Sequence, residues 1–378
     1  MSDRTIEIVG AGPAGLSAAL SARASGAEVI VYEKRSDVGA RFHGDFQGLE
    51  NWSSDTGVLS ELAQCGVQAT FALTPVQEFV CFDPRGRAQT VRADEPIFYL
   101  VRRGSEPGTL DAALKKQVLD AGIEIRFGSH KRHIRDGGVV AEGPHRADAI
   151  AAGYVFETDM ADGCYAAVGT RLARDGYSYL LVDQGRGTVA SCLFSGFHDE
   201  RRYVENTLEF FKRAAGLRWD RARRFGGSGN FDHVQSAVIG NRLYVGEAAG
   251  FQDALFGFGL RYAILSGYLA GRSDGTADAY ERAWRSRLGG LNASSLFNRR
   301  LYRWLGDPGR QAVINHVIPG RDARLLLQRI YAPARWKAAA ARWLPGKPLL
   351  RVEHARSGCN CTWCRCQHGH RASAEAPS

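Results

Sequence analysis

A glycine-rich turn, Gly10-Ala11-Gly12-Pro13-Ala14-Gly15, constrains the fold of this chain more than any other part of its sequence. The turn follows a short β-branched strand, Thr5 to Val9, and precedes an Ala-rich segment of helical composition. In this setting the first glycine allows a tight turn, the second lets a pyrophosphate approach the backbone, and the third lets helix and strand pack closely. The sequence therefore predicts a Rossmann-like nucleotide site in this segment.

An acidic residue follows the turn at the spacing that such a site requires. Glu33 stands after a second predicted strand, Glu28 to Tyr32. Its carboxylate can accept hydrogen bonds from the hydroxyls of an adenosine ribose, and it disfavours the 2′-phosphate of NADP. This half of the site leaves both NAD and FAD open as ligands.

A second glycine-rich loop, Val245 to Leu260, narrows the ligand to a flavin nucleotide. A predicted buried strand ends at Gly246-Glu247, where the acid can meet ribityl hydroxyls near the pyrophosphate. Gly257 and Gly259 then open a helix whose N-terminus can face the flavin. A positive helix end stabilises the negative charge of a reduced flavin ring. Together the two loops predict FAD as the cofactor.

The two loops resemble those of a large flavoprotein group that contains the geranylgeranyl reductases and, more distantly, aromatic hydroxylases and lycopene cyclases. The segment Val38 to Ser53 resembles a branch near the reductases, and the resemblance extends over residues 5–290. It implies an α/β fold in which an antiparallel β-sheet substrate domain is inserted into a Rossmann-like FAD-binding domain. The group usually has Asp at Glu247, and a Tyr/Trp-x-Trp-x-Phe-Pro type segment where this chain has Tyr177 to Val182.

The order of predicted elements agrees with that fold class. Helices and strands alternate in the parts assigned to the cofactor, whereas period-two strands and a hairpin mark the substrate part. The predicted domains are a discontinuous FAD-binding domain (1–75, 97–154 and 226–290), a substrate domain (76–96 and 155–225), a helical C-terminal region (291–350) and a Cys/His-rich tail (351–378).

The resemblance also implies a set of cofactor contacts. The first loop and Glu33 would hold the ADP portion, the second loop would hold the pyrophosphate and ribityl chain, and Arg103 or its neighbour Arg102 would lie near the FAD. The residues expected to bind FAD are Gly10, Ala11, Gly12, Pro13, Ala14, Gly15, Glu33, Lys34, Arg41, Arg103, Gly246, Glu247, Asp253, Gly257 and Gly259.

A flavin carries the reactive atom itself, so the protein has to bind it, orient it and exclude water. Reduction of a double bond needs hydride from flavin N5 and a proton from the opposite side of the bond. His43, Tyr177 and Tyr179 are candidate donors, and His43 is the candidate catalytic residue among them. Each also has an ordinary interpretation, as a loop histidine bonded to backbone or as tyrosines that pack the hairpin.

Three hypotheses for function follow. The leading one is an FAD-dependent oxidoreductase that reduces or oxidises an apolar, isoprenoid- or polyene-like substrate through flavin N5. The second is an FAD-dependent aromatic monooxygenase, and the third is an electron-transfer or sensor protein that holds flavin and has a metal-binding tail. No second fingerprint marks a nicotinamide domain, so we expect NAD(P)H or a redox protein as a transient electron donor.

The cysteines fall into two groups. Cys65, Cys81, Cys164 and Cys192 are scattered and are predicted to be small core residues. The other four are clustered near His354, His368 and His370, a composition that suits zinc or an iron–sulfur cluster, with one or two histidines able to replace cysteines. A tail of free thiols is the alternative. The predicted metal ligands are Cys359, Cys361, Cys364 and Cys366.

The net charge of +9 is concentrated late in the chain, where Arg residues alternate with Trp and Leu. Residues 296–344 could therefore attract an anionic membrane, and a solvated basic face is the other interpretation. Nucleic acid is not expected as a partner. The sequence shows no signal-peptide pattern and no apolar stretch long enough to span a bilayer, so a cytoplasmic location, peripheral at the membrane, is expected.

Overall fold

The computed structural model describes residues 5–131, 133–144, 146–231, 233–343 and 359–365. The strands are β1 (Thr5–Val9), β2 (Glu28–Tyr32), β3 (Phe46–Glu50), β4 (Leu73–Val76), β5 (Glu78–Phe82), β6 (Ala88–Arg92), β7 (Phe98–Arg102), β8 (Glu124–Arg126), β9 (Val139–Val140), β10 (Ala149–Glu157), β11 (Gly163–Val168), β12 (Tyr177–Asp183), β13 (Arg186–Leu193), β14 (Arg221–Gly229), β15 (Val238–Ile239) and β16 (Arg242–Tyr244). The helices are α1 (Pro13–Ala24), α2 (Val58–Gln64), α3 (Leu110–Asp120), α4 (Glu200–Ala215), α5 (Leu260–Arg272), α6 (Ala277–Trp284), α7 (Gly290–Ala312), α8 (Ala323–Tyr331) and α9 (Arg335–Trp343).

The first sheet has the strand order β15-β16-β9-β1-β2-β8, and all its neighbouring pairs are parallel except β15 with β16. Its central strand β1 is buried from Ile6 onward, as a run covered on both faces must be. The carboxyl ends of β1, β9 and β16 therefore lie side by side, and ligands of such sheets bind at that edge.

Helices α1 and α5 pack against each other with their backbones in contact. A side chain at Gly267 would place its Cβ 2.0 Å from the Ala14 carbonyl oxygen, and one at Gly271 would meet the Ala18 oxygen at 2.5 Å. The Ser17 hydroxyl also donates to the Ile264 carbonyl across 2.8 Å. This close packing brings the two glycine-rich loops, one before each helix, to the same place.

The second sheet has the order β14-β10-β13-β12-β11-β5-β6, and its pairs are antiparallel except β11 with β5. The predicted hairpin is β12–β13, with a turn at Gln184 and Gly185, whose φ angles of 50° and 75° suit a type I′ turn. Strand β14 was not predicted, because its run of arginines and glycines has little strand propensity. It pairs with β10 over nine residues.

The predicted fold class is confirmed: a mostly parallel sheet with helices, an antiparallel sheet and a helical C-terminal region. A small third sheet, β3-β7-β4, is formed by strands within residues 46–102. The predicted domain bounds stay a prediction, and four of them, at 75/76, 154/155, 225/226 and 290/291, fall inside β4, β10, β14 and α7. Among the described helices, none combines the length and apolar character needed to cross a membrane.

Candidate functional site

A cavity of about 1160 Å³ opens at the carboxyl edge of the first sheet and extends between the second sheet and helices α7 and α8. Sites for single small molecules usually have a volume of roughly 300–1,000 Å³. The cavity is therefore large enough for a nucleotide cofactor together with a substrate. One half is built by the two glycine-rich loops and the other by apolar side chains.

The three glycines of the first loop have the three expected geometries. Gly10 adopts a φ of +102°, and a Cβ there would lie 2.2 Å from the Ala141 carbonyl oxygen. A Cβ at Gly15 would lie 1.9 Å from the Gly10 oxygen, so Gly15 serves helix–strand packing. A Cβ at Gly12 would meet no atom of the described residues within 4 Å, and Gly12 lines the cavity. The space beside Gly12 is where a pyrophosphate would approach.

Both helices that start at the cavity have free N-termini. Within the described chain, no side chain caps α1 at Gly12 or α5 at Gly259, and neither helix has an acidic residue in its first turn. The unpaired N–H groups and the positive end of the helix dipole are therefore available to an anion at each end of the cavity.

Glu33 lines the same half of the cavity, next to Lys34. Its Oε2 accepts a hydrogen bond from the Ala11 N–H at 2.8 Å, and its Oε1 accepts one from the Arg35 N–H at 2.9 Å. Each carboxylate oxygen has a second lone pair, so the group can still accept bonds from ribose hydroxyls. The backbone bonds hold the carboxylate in place at the carboxyl end of β2.

The second loop meets the first across the cavity. Gly246 has a φ of +57°, and a Cβ there would lie 3.0 Å from the Ala14 Cβ. The Arg41 guanidinium forms an ion pair with the Glu247 carboxylate at 3.0 Å, and the Asn230 amide donates to the Glu247 carbonyl at 2.9 Å. Arg41, Gly246 and Glu247 all line the cavity, as expected for groups beside a pyrophosphate.

The turn before α5 presents an amide to the cavity. Gln252 lines the cavity and donates through Nε2 to the Gly257 carbonyl at 2.9 Å. Its buried Oε1 has no hydrogen-bond partner among the described residues. Buried polar atoms are nearly always paired, so this oxygen points to a ligand that completes it. Gly257 and Gly259 line the cavity beside Gln252.

Asp253 does not line the cavity. Its side chain is buried, with Oδ1 accepting from the Leu255 N–H at 3.1 Å and Oδ2 from the Phe256 N–H at 2.8 Å. Burial raises the pKa of Asp253 to about 6, although these amides oppose the shift. Asp253 thus stabilises the conformation of its own loop from the side that faces away from the cavity. Its direct contact with the ribityl chain stays a prediction.

Arg103 lines the cavity, whereas Arg102 does not. The Arg103 guanidinium is buried in a bidentate ion pair with Asp111, with both distances 2.8 Å, and it also donates to Gln47 Oε1 at 2.8 Å. It stacks 4.0 Å from the centre of the Phe42 ring. Arg103 therefore holds Phe42 and Gln47 in the cavity wall, and its contact with the cofactor stays a prediction.

The other half of the cavity is apolar. Its walls come from the second sheet, from the aromatic residues of the loops, and from α7, α8 and the turn of π-helix between them (Val313–Val317). Most of these side chains are aliphatic or aromatic, so the space suits a hydrocarbon chain. The lining includes Trp52, Phe79, Val91, Ile97, Phe98, Ala166, Val168, Leu181, Leu255, Phe256, Phe258, Leu301, Leu305, Val313, Ile314, Ile318, Leu326, Leu327 and Ile330.

The three candidate proton donors all line the cavity but differ in their bonding. His43 is exposed, and its backbone N–H donates to Asp45 at 3.0 Å. The Tyr177 hydroxyl donates to the Phe256 carbonyl. No described residue hydrogen-bonds to the Tyr179 hydroxyl. Burial, together with the Cys192 thiol and the Asp45 carboxylate, raises the pKa of Tyr179 well above its ordinary value.

The four scattered cysteines are buried or half-buried, as predicted for small core residues. Cys81, Cys164 and Cys192 also line the cavity. Burial raises the pKa of each of these thiols to about 12. They therefore act as protonated, weakly polar parts of the wall.

The clustered cysteines lie away from the cavity half built by glycine loops. Cys359, Cys361 and Cys364 come together with His198, and Cys366 lies outside the described residues, as do His354, His368 and His370. His198 had not been singled out in the sequence. A histidine this far from the cysteines gives no spacing signal, because its partners are 161 residues or more away.

Other parts of the site also escaped prediction. Strand β14 contributes cavity wall at Phe225, Gly226 and Ser228, and Gln252 contributes its unpaired oxygen. One sequence pattern could have predicted the close approach of Gly267 and Gly271 to α1. These two small residues are four positions apart, and the helix that they contact is rich in alanine.

These observations fit a flavin nucleotide. The open side of Gly12 and the free N-terminus of α1 suit a pyrophosphate, Glu33 suits a ribose, and the free N-terminus of α5 with Gln252 Oε1 suits a polar ring edge. The two ends are joined by one continuous cavity.

Comparison with known proteins agrees with this site. Residues 8–59 match the family model of the NAD(P)-binding Rossmann-like domain. The chain is 22% identical to digeranylgeranylglycerophospholipid reductase of Methanocaldococcus jannaschii, over 86% of this chain and 94% of the relative.

Two solved structures share the fold. A geranylgeranyl bacteriochlorophyll reductase-like protein from Thermoplasma acidophilum has a TM-score of 0.68 at 16% identity, covering 89% of this chain and 96% of the other. A flavin-dependent brominase has a TM-score of 0.62 at 17% identity, with the same coverage of both chains. At this identity the likeness shows the fold, which enzymes of different chemistry share.

Proposed function

We propose that the chain is an FAD-dependent oxidoreductase of the group that contains the geranylgeranyl reductases, which it resembles in sequence and fold, and that it reduces carbon–carbon double bonds in an apolar, isoprenoid-like substrate. The observation that carries the proposal is the apolar half of the cavity, which continues directly from the half built by the two glycine-rich loops. A hydrocarbon chain gains free energy by leaving water for such a space, at about 0.8 kcal/mol per CH₂ group.

The chain's own residues would bind and orient both partners. The N–H groups of α1 and Glu33 would hold the ADP portion, and Gln252 with the N-terminus of α5 would hold the ring. Bound FAD, once reduced by NAD(P)H or a redox protein, would supply hydride from N5. The apolar walls from α7 and α8 would exclude water from the reacting bond.

Tyr179 is the residue proposed to donate the proton. Its hydroxyl is not engaged by another described residue, unlike that of Tyr177, which is bonded to Phe256. Burial raises its pKa well above the ordinary value, and the hydroxyl is protonated at neutral pH. A protonated hydroxyl that lines the cavity can give its proton to the carbon opposite the hydride.

An anionic membrane surface is the proposed source of such a substrate. Residues 296–344 contain ten Arg and Lys against two Asp. Trp304 in α7, Leu325 in α8 and Trp336 in α9 are among the most exposed large apolar side chains of the described residues. Tryptophans and basic residues together favour the membrane interface. Helices α7 and α8 also form a wall of the apolar half of the cavity.

Anaerobic turnover tests the function directly. The purified protein is reduced with dithionite and mixed with a digeranylgeranyl glycerophospholipid, and the product is analysed by mass spectrometry. The expected result is re-oxidation of the flavin with gain of two hydrogens per reduced double bond. A saturated lipid of the same head group should leave the flavin reduced. NAD(P)H and a ferredoxin-type protein, tried in place of dithionite, identify the physiological class of electron donor.

The cavity assignment is tested with a matched pair of variants. Ala166→Phe adds an aromatic ring inside the apolar half, whereas Ala88→Phe adds the same ring on an exposed strand. Only Ala166→Phe should lower turnover of the long-chain substrate. Substrate-dependent oxygen uptake, with oxygen incorporated into an aromatic compound, would instead favour the monooxygenase.

A further inference from the structure

Four side chains of metal-binding type meet outside the flavin half of the cavity. His198 lies just before α4, and Cys359, Cys361 and Cys364 come from the C-terminal segment 359–365. Their ligand atoms all lie within 4.8 Å of one another. His198 Nδ1 is 3.6 Å from Cys364 Sγ and 4.0 Å from Cys359 Sγ.

These separations are close to those around one tetrahedral zinc ion. With Zn–S and Zn–N bonds of about 2.3 and 2.05 Å, neighbouring sulfur and nitrogen ligands are about 3.6 Å apart, and two sulfurs are about 3.8 Å apart. The His198–Cys364 separation of 3.6 Å equals the first value, and His198–Cys359 is slightly longer. An iron–sulfur cluster divides its ligands between different irons, which spreads them further apart.

We infer that His198, Cys359, Cys361 and Cys364 bind one structural zinc ion that fastens the C-terminal segment to the substrate sheet. Three thiolates and one imidazole are a ligand set that zinc prefers, and four protein ligands leave no open position for chemistry. Cys364 is fully buried and the other three are half-buried, which suits a closed site.

The segment between the ligands packs onto the protein. The Trp363 ring stacks on Phe197 with centroids 5.5 Å apart and planes at 17°, and its Nε1 donates to the Ala147 carbonyl at 3.1 Å. A Cβ at Gly226 would lie 2.4 Å from Thr362 Oγ1. Gly226 belongs to β14, which lines the cavity. A bound ion would therefore hold the C-terminal segment 359–365 against the wall of the cavity that β14 forms.

Metal analysis of the full-length protein tests the inference. The protein is purified without a polyhistidine tag and without chelators, and metals are measured by mass spectrometry alongside flavin in the same sample. The expected content is about one zinc per chain. Iron in place of zinc, or oxidised thiols without metal, would overturn the inference.

Two matched pairs of variants identify the ligands. His198→Ala and Cys364→Ser should lose the zinc, whereas the exposed His133→Ala and the clustered Cys366→Ser should retain it. Flavin content and thermal unfolding of each variant report whether it has folded. Retention of zinc by a folded His198→Ala protein, with its loss from Cys366→Ser, would show a four-cysteine site and refute the assignment.

X-ray absorption on the unmodified protein gives an answer that does not depend on variants. The zinc edge should show three sulfur neighbours at about 2.3 Å and one nitrogen at about 2.0 Å. A shell of four sulfurs, or of oxygen and nitrogen alone, would contradict the ligand set.

Discussion

The open side of Gly12 allows a sharp test of the first glycine-rich loop. Replacement with alanine adds a Cβ that meets no described atom within 4 Å, so the protein itself has room for it. Alanine is a poorer helix N-cap than glycine, and this difference should lower the free energy of unfolding by less than about 1 kcal/mol. The same methyl group occupies the space through which a pyrophosphate would approach the N-terminus of α1.

The expected loss of FAD affinity follows from the bonds that the methyl group would break. Each charge-assisted hydrogen bond between a backbone N–H and a phosphate is worth about 1.5–3 kcal/mol. Losing one of them weakens binding roughly 10- to 150-fold. Gly15→Ala is the contrasting variant, because its Cβ would lie 1.9 Å from the Gly10 oxygen. It should reduce the stability of the fold by about 1–3 kcal/mol or more.

The assay is release of FAD from the diluted holoprotein, followed by the rise in flavin fluorescence, together with thermal unfolding of each variant. Gly12→Ala should keep its unfolding temperature in the FAD-free form and release FAD more readily. Gly15→Ala should unfold at a lower temperature. If Gly12→Ala retains FAD as tightly as the unmodified protein, the pyrophosphate does not lie against this loop and the reasoning is refuted.

Three further results are expected. Tyr179→Phe should lower the rate of double-bond reduction about 10²- to 10⁴-fold without changing flavin content, since it removes only the proposed proton donor; an unchanged rate would reject that role. The raised pKa of Asp253, about 6, means that folding takes up a proton, so stability falls as the pH rises from about 4 to about 6. The free energy of unfolding should fall by about 3 kcal/mol over this pH range. In denaturant titrations at several pH values, Asp253→Asn should remove this pH dependence. Serine at both Trp304 and Trp336 should reduce flotation with anionic liposomes, whereas serine at the exposed Ile239 should not; equal flotation of all three proteins would exclude this face as the membrane contact.

The side chains of Arg103 and Asp253 show how tertiary structure assigns roles that sequence motifs leave open. Arg103 was expected near FAD, and the fold places it in a bidentate pair with Asp111 that supports Phe42. Asp253 was expected at the ribityl chain, and the fold turns it toward the amides of its own loop. A motif position specifies the backbone path, whereas the direction of a side chain depends on what packs around it.

The sequence by itself determined the nucleotide half of the site. Gly10, Gly12, Gly15 and Glu33 act within one strand–turn–helix–strand unit, where chain connectivity sets their geometry. Only the tertiary structure joined His198 to cysteines 161 or more residues away, and brought β14 to β10 across more than sixty residues. The spacing of residues within one segment predicts the geometry of that segment. Contacts between distant segments depend on tertiary packing, which the propensities of single segments do not predict.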